Sequence, residues 1–374
     1  MTVSARARYQ WTTGGGAWAS LHQKSSGLPG RAMVDQRLAA EDGGLSLRYQ
    51  GFPEGLKYIV PYPGEQGGLV AEPARRTGWR AIRDGVAEPG ADLLLVGCSA
   101  RRARRLPAPR SLVLPFRVNL LLDVTADIDT MYRRVSRRQR REFAASRRKH
   151  EWTAEISHDE GDLDFFYERM HLPAMSVRHG GKTRSTDRDI ALHCLLHKGF
   201  LLFVTEGGKR VTGVLCRLDD HGRTLRMRLL GVLDGDETHY RSGAVKAVYY
   251  LTMEWAAAHG VTRIDFAGAD PFPGRGVYQF KSRFHPVTAL PADHHRDRRV
   301  YVRINADTPR VRDFLVATPM IAVDDSGRLV ATYFRDAVRH ERTDIVAEGP
   351  GVHATRVIDL DEFLVGAQRT PTRR

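Results

Sequence analysis

From Arg133 to Lys149 the chain reads RRVSRRQRREFAASRRK, with nine Arg or Lys in seventeen residues against one Glu. On a helix, Arg134, Arg137, Arg138, Arg141 and Arg148 fall near one face, and Val135 with Phe143 can anchor another. Guanidinium forks of that density bind phosphate bidentately and with steep salt dependence. A charge run is ordinarily a solvated surface, but the near absence of acidic partners favours contact with a polyanion. Arg101, Arg102, Arg104 and Arg105 form a smaller cluster, expected on a loop, that can extend the same surface. A different phosphate site is offered by Tyr240-Arg241-Ser242-Gly243-Ala244, where a helix begins and its first N–H groups lack partners. An Arg-Ser-Gly by itself is often only a helix start.

Other chemistries find no support. His171 and His179 lie eight residues apart with no carboxylate at ligand spacing, and His294-His295 is a pair in a polar stretch. Neither makes a zinc site, so no metal or redox cofactor is expected. There is no Ser-His-Asp pattern, P-loop or dinucleotide fingerprint. Cys98, Cys194 and Cys216 are scattered, as for reduced, buried thiols of a cytoplasmic protein. No apolar run is long enough to span a bilayer, and the first residues lack the hydrophobic stretch of a secretory signal. The net charge of +14 favours nucleic acid, an acidic carrier protein or a phosphate-bearing cofactor as partner.

The elements that position these residues divide the 374-residue chain into blocks. Residues 1–30, rich in Gly, Ser and Arg, are expected to be a flexible arm. Residues 31–117 form a small α/β unit, with strands expected at Leu56–Val60 and Ala91–Cys98 and a helix over Pro73–Val86. Residues 118–340 form the main domain. It opens with the strand Val118–Val124 and the basic helix 130–150, capped by Thr125 or Asp127. Helices over Asp162–Met175 and Asp187–Lys198 follow. The pattern then changes to period two, giving antiparallel strands at Gly199–Glu206, Thr212–Leu218 and Thr224–Leu230. The clearest helix is Arg241–Ala258, with Ser242 as cap and Gly260 beyond its end. A strand at Thr262–Phe266 comes next, then Val300–Ile304 and Leu329–Phe334. Residues 341–374 are an extension with a basic tail.

Helices, a three-strand meander, a helix and a short strand are the element order of the GNAT acyltransferase fold. Ala247-Val248-Tyr249-Tyr250, Glu254-Trp255-Ala256, Gly260 and Ile264-Asp265-Phe266-Ala267-Gly268 precede Gly276-Val277-Tyr278-Gln279-Phe280-Lys281-Ser282-Arg283-Phe284. Over roughly 118–290 the chain resembles the Fem-type, or FemAB-like, branch of the GNAT superfamily. That branch has a helix ending in Gly, a strand ending in Asp-Phe-Gly, and a later Phe-Lys-x-x-Phe-Gly. Here Ala267 separates Phe266 from Gly268, and His285 stands where Gly commonly follows the second Phe.

The resemblance implies an α/β, GNAT-like fold of two GNAT-related units, the first degenerate, with mixed, largely antiparallel sheets flanked by helices. It implies amide-forming transfer of an aminoacyl or acyl group from aminoacyl-tRNA, acyl-CoA or a carrier-bound thioester to an amine of a small-molecule or peptide-like acceptor. Lys281 is then the cation that stabilises the oxyanion. Asp265 holds or deprotonates the incoming ammonium, or pins a loop by an ion pair. Tyr278 and Tyr249 can protonate the leaving group, although aromatics on apolar faces are usually core. Arg241, Ser242, Gly243 and Ala244 meet donor phosphates. This loop matches the usual acetyl-CoA loop only in part, because Val245 and Lys246 follow the Gly. The charge and the basic helix favour tRNA as donor. Two alternatives are a non-catalytic RNA-binding protein on the same scaffold and an idle partner in a biosynthetic assembly.

Overall fold

The structure, a computed structural model, describes residues 2–26, 33–86, 90–179 and 186–365. The chain divides into two units that are not consecutive in sequence. One comprises Met1–Thr12, Leu120–Ala267 and Arg283–Val287; the other comprises Thr13–Asn119, Gly268–Ser282 and Thr288–Arg374. The sequence had pointed to successive blocks. The chain returns to its early part because the strand Arg298–Ile304 pairs with both Leu93–Ser99 and Ser111–Pro115.

The first unit is built on a seven-stranded mixed sheet. Its order is Val287–Ala289, Val118–Asp123, Arg263–Ala269, Thr224–Val232, Lys209–Asp219, Gly199–Glu206, Thr153–Ser157. The last four are antiparallel neighbours. Gly199–Glu206 is buried along nearly its whole length, as a strand covered on both faces must be. The turns of the meander lie where positive φ is tolerated, at Gly207 and Gly208 (φ 54 and 76°) and at Asp220, His221 and Gly222 (φ 53, 56 and 85°). Leu201, Phe203, Leu215 and Leu229 pack with Phe166 and Leu195 in one core.

Several helical expectations for this unit change, among them that over Asp187–Lys198, which runs as Arg188–Ile190, a π-turn Ala191–Leu195 and a 3-10 turn Leu196–Lys198. The basic segment is two helices, Ile128–Arg134 and Arg137–His150, because Val135 turns extended (φ −80, ψ 140°) and Ser136 caps the second by accepting from Gln139 N at 3.3 Å. Asp127, and not Thr125, caps the first. The helix expected over Asp162–Met175 runs Glu160–Phe165, widens to a π-turn over Phe166–His171, and continues as Leu172–His179. Pro173 has no N–H to return to the preceding turn, and the wider winding accommodates that loss.

The second unit holds a mixed sheet of Met33–Ala40, Ser46–Gly51, Leu93–Ser99, Arg298–Ile304 and Ser111–Pro115. Leu69–Ala71 and Arg75–Thr77 share the outer edge of its first strand. Only the Ser46–Gly51 to Leu93–Ser99 pairing is parallel in this sheet. A smaller sheet joins Met320–Val323, Leu329–Arg335 and Ala354–Asp359. The strand expected at Leu56–Val60 is a helical turn, Gly55–Tyr58, since Ile59 and Val60 N–H both return to Gly55 O at 2.8 and 2.9 Å. The arginines expected on a loop start in a helical turn, Ala100–Ala103, capped by Ser99.

Residues 2–26, expected to lack regular structure, form helices over Thr2–Thr13 and Gly16–Ser26. The basic tail beyond Val365 lies outside the described residues. No helix among the described residues is long and apolar enough to cross a membrane.

Candidate active site

The strands Thr224–Val232 and Arg263–Ala269 run parallel, yet they register over only three positions: Thr224 with Arg263, Leu225 with Ile264, and Arg226 with Asp265. Beyond Arg226 the first strand stays bonded to Lys209–Asp219 on its other side as far as Val232. A bulge there sets Leu215 opposite Leu229 and Cys216 opposite Met227, so Arg228 is the extra residue. The two strands therefore part just past Asp265. An extended ligand entering such a gap meets main-chain N–H groups, and a carbonyl placed there can accept from them.

Asp265 sits at that fork and is 6 % exposed. Its Oδ1 accepts from Ala267 N at 2.8 Å. Ala267 adopts φ 63°, and His285 adopts φ 58°. These are the two positions where glycine was expected from the Fem-type pattern. The chain keeps a left-handed backbone at both with side chains that bear the strain.

The long helix begins one residue later than a cap at Ser242 requires. The helix Glu237–Ser242 ends at Gly243 (φ 91°), and Ala244–Ala258 starts there. Ser242 Oγ accepts weakly from Ala244 N at 3.4 Å, and the first helical bond runs from Ala247 N to Gly243 O at 3.0 Å. Arg241 is exposed and pairs with Glu237 at 3.0 Å. The opening turn of the long helix is thus a feasible anion site. Tyr249 on this helix is core, since it stacks on Phe284 at 5.2 Å and meets Phe266 edge-on at 5.2 Å.

Tyr278 and Lys281 belong to the second unit, on the short helix Gly276–Ser282. Lys281 is only 8 % exposed, and its Nζ donates to Gly268 O at 3.3 Å. The Arg117 guanidinium packs against Gly268 so closely that a Cβ would stand 2.6 Å from its Nη2. Two cations therefore border the Gly268 backbone. Tyr278 is buried with its hydroxyl 3.4 Å from Thr288 Oγ1, and burial raises its pKa. A phenol held protonated in this way suits a proton donor or a core residue equally.

Arg134, Arg137, Arg138, Arg141 and Arg148 are all exposed in the first unit. Arg134 donates to Asp123 O at 3.0 Å, and Arg138 pairs with Glu142 at 2.8 Å. Arg137, Arg141 and Arg148 share one face of their helix; Arg134 belongs to the preceding helix. Phe143, expected to anchor the other face, does turn inward, and Tyr250 and Glu254, which this side meets there, come from far along the chain. There, Phe143 stacks on Tyr250 (3.9 Å, 7°) and Tyr132 meets Tyr250 edge-on (5.4 Å, 77°). Glu254 accepts from the Tyr132 hydroxyl at 2.5 Å and from Arg147 Nη1 at 2.6 Å. Burial, then the Glu254 contact, raises the Tyr132 pKa, and burial pushes Tyr250 to about 12. A groove of 530 Å³ opens above these rings. Its signal was present in the helical spacing of Arg140, Phe143, Ala144 and Arg147.

The histidines read as an isolated pair are buried in the second unit. His294 stacks on His22 with ring centroids 4.0 Å apart, and ligand-type atoms of His22, Glu54 and His294 lie within 4.8 Å of one another. Arg298 stands among them, 3.2 Å from Glu54 and 3.5 Å from His22 Nε2. A fixed guanidinium thus meets the groups that would face a metal ion. All three cysteines are buried and reduced, and burial raises the Cys98 thiol to about 12, which makes it a poor nucleophile.

Residues 123–282 match the family model described as an acetyltransferase (GNAT) domain. A search of curated proteins returns no match. Among solved structures, the chain is similar to FemX at 12 % identity, with 82 % of this chain and 96 % of that chain covered and a TM-score of 0.39. It is similar to L-PGS from Bacillus licheniformis at 10 % identity, covering 83 % and 95 %, with a TM-score of 0.36. The C-terminal domain of a putative lysylphosphatidylglycerol synthetase from Agrobacterium fabrum matches at 10 % identity, covering 82 % and 93 %, with a TM-score of 0.38. The strand fork and the start of the long helix thus lie inside the segment that is similar to a GNAT-type acetyltransferase domain.

Proposed function

We propose that this protein is an amide-forming N-acyltransferase of the Fem-like kind, moving an aminoacyl or acyl group from an activated ester or thioester to an amine of a small-molecule or peptide-like acceptor. The observation that carries this reading is the loss of pairing past Arg226 and Asp265, inside the segment that matches the family model. The donor carbonyl lies in that gap. A neutral amine attacks it directly, and the C–N bond forms without a covalent enzyme intermediate. The oxyanion accepts hydrogen bonds from main-chain N–H groups of the parted strands. Asp265 takes or holds the proton of the incoming ammonium. The Phe280-Lys281-x-x-Phe284 motif assigns the oxyanion cation to Lys281. The tetrahedral intermediate then collapses, and the alcohol or thiol leaves with a proton.

Aminoacyl-tRNA is the favoured donor, on the strength of the +14 charge and the arginine-dense helices. The start of the long helix at Gly243 and Ala244 supports the alternative, an acyl thioester whose phosphates meet its N–H groups. Mass analysis of what the purified protein retains, paired with incubation of the protein with each donor class and primary amines, tests the reading. Amide product from either donor supports it. Tight retention of tRNA with no product from any donor overturns it in favour of an RNA-binding protein.

A further inference from the structure

The groove over the Phe143–Tyr250 stack has a charge pattern that acyl transfer itself does not require. Arg133, Arg140, Arg147 and Arg148 line it, against the single carboxylate of Asp129. Glu254, a half-buried acid, is already engaged by Tyr132 and Arg147. Arg140 Nε is buried and has no hydrogen-bond partner among the described residues. The floor is mostly carbon, from Phe143, Tyr250 and Ala144, with the two rings only 6 % and 1 % exposed and the buried Tyr250 hydroxyl as its one polar side-chain atom. Those rings are fixed by each other and offer a smooth apolar base.

We propose that this groove is a subsite for a nucleoside phosphate, the chemistry shared by the end of coenzyme A and the 3′ end of a tRNA. A flat base lies over the apolar floor, between guanidinium planes that can stack on it. The phosphate takes the donors of Arg140 and Arg148. The volume of 530 Å³ suits one such unit and leaves no room for a folded partner. Tyr250 is six residues beyond Ala244 on the same helix. That is about 9 Å along the axis, so one nucleotide reaches from the groove to the free N–H groups of the first turn. The inference deepens the acyl-transfer reading by saying which part of the donor is held and where.

The test titrates the full-length protein with adenosine 3′,5′-bisphosphate, a CCA trinucleotide and inorganic phosphate, each followed by calorimetry. The double variant Arg140→Ala/Arg148→Ala is compared with Lys209→Ala/Arg223→Ala, which removes two exposed cations away from the groove. At least a tenfold loss of nucleotide affinity in the first, and less than twofold in the second, is expected. Arg140→Lys, which keeps the charge and loses the fork, is expected to fall between. Equal affinity in wild type and groove variant overturns the proposal, and so does inorganic phosphate binding as tightly as the nucleotides. Coenzyme A and a CCA-ended acceptor-stem minihelix then identify the source by which one loses affinity in the groove variant; loss for neither overturns the proposal. Nucleotide binding that depends on the groove in a protein making no amide would sink the transferase reading and leave the subsite standing. Amide formation at an unchanged donor KM in the groove variant would do the reverse.

Discussion

Lys281 is the residue on which the chemical account leans most. Its buried ammonium donates to Gly268 O, in a corner that also holds the Arg117 guanidinium, so two cations border that backbone. Removing one oxyanion donor typically costs about two to three orders of magnitude in turnover. Lys281→Ala should therefore lower kcat by about 100-fold with KM little changed, in steady-state assays with saturating donor. A loss of thermal stability with kcat intact would make Lys281 structural. Ala267 and His285 give a second test at this scale. Both hold a left-handed backbone that costs about 1–2 kcal/mol for an ordinary residue. Ala267→Gly should raise stability by about 0.5 kcal/mol after the entropic cost of glycine, measured by urea unfolding. The sequence revealed these positions only as departures from a pattern. Their φ angles give the reason the pattern has glycine.

Among the elements, the meander, its turns and the long helix were legible because period-two burial and Gly-rich turns are local signals. The break at Gly243 was not, because a glycine after a serine reads equally well as a cap or as the second residue of a helix. Gly243→Ala should cost about 1–2 kcal/mol in unfolding free energy, since φ 91° disfavours any side chain; space is not the cause, for a Cβ would stand 3.7 Å from Trp152. The helical turn at Gly55–Tyr58 was missed because a run of five residues, four of them apolar, cannot declare its period. In the second unit, Asp336 accepts from Val338 N, Arg339 N, Arg312 and Arg339. Burial alone would raise its pKa, but these donors outweigh it and hold the carboxyl at about 2. A depressed carboxyl contributes stability above its unfolded pKa, near 4, and loses it as pH falls through about 2. Acid unfolding should therefore show an Asp336-dependent loss between about pH 4 and 2, absent in Asp336→Asn.

For the whole molecule, the charge and the likeness of the central segment to a GNAT-type domain were legible early, whereas the division of the chain was not. Nothing local in Arg298–Ile304 tells that it pairs with strands two hundred residues earlier. The same limit hid the far wall of the groove, whose lining joins Tyr132 and Arg147 to Tyr250 more than a hundred residues on, with Glu254 accepting from the first two. The net charge of +14 predicts that any RNA affinity falls steeply with salt, as a linear loss in log K against log salt that flattens when Arg137 and Arg141 are replaced. The central claim is that an activated acyl group passes to an amine with no enzyme-bound intermediate. A single-turnover reaction of wild-type protein with isotopically labelled aminoacyl-tRNA or acyl-CoA and a primary amine, read by mass spectrometry of both protein and small molecules, tests it most directly. The account predicts labelled amide at the rate of donor loss and no mass added to the protein. Label accumulating on the protein, or no amide from either donor, would contradict it.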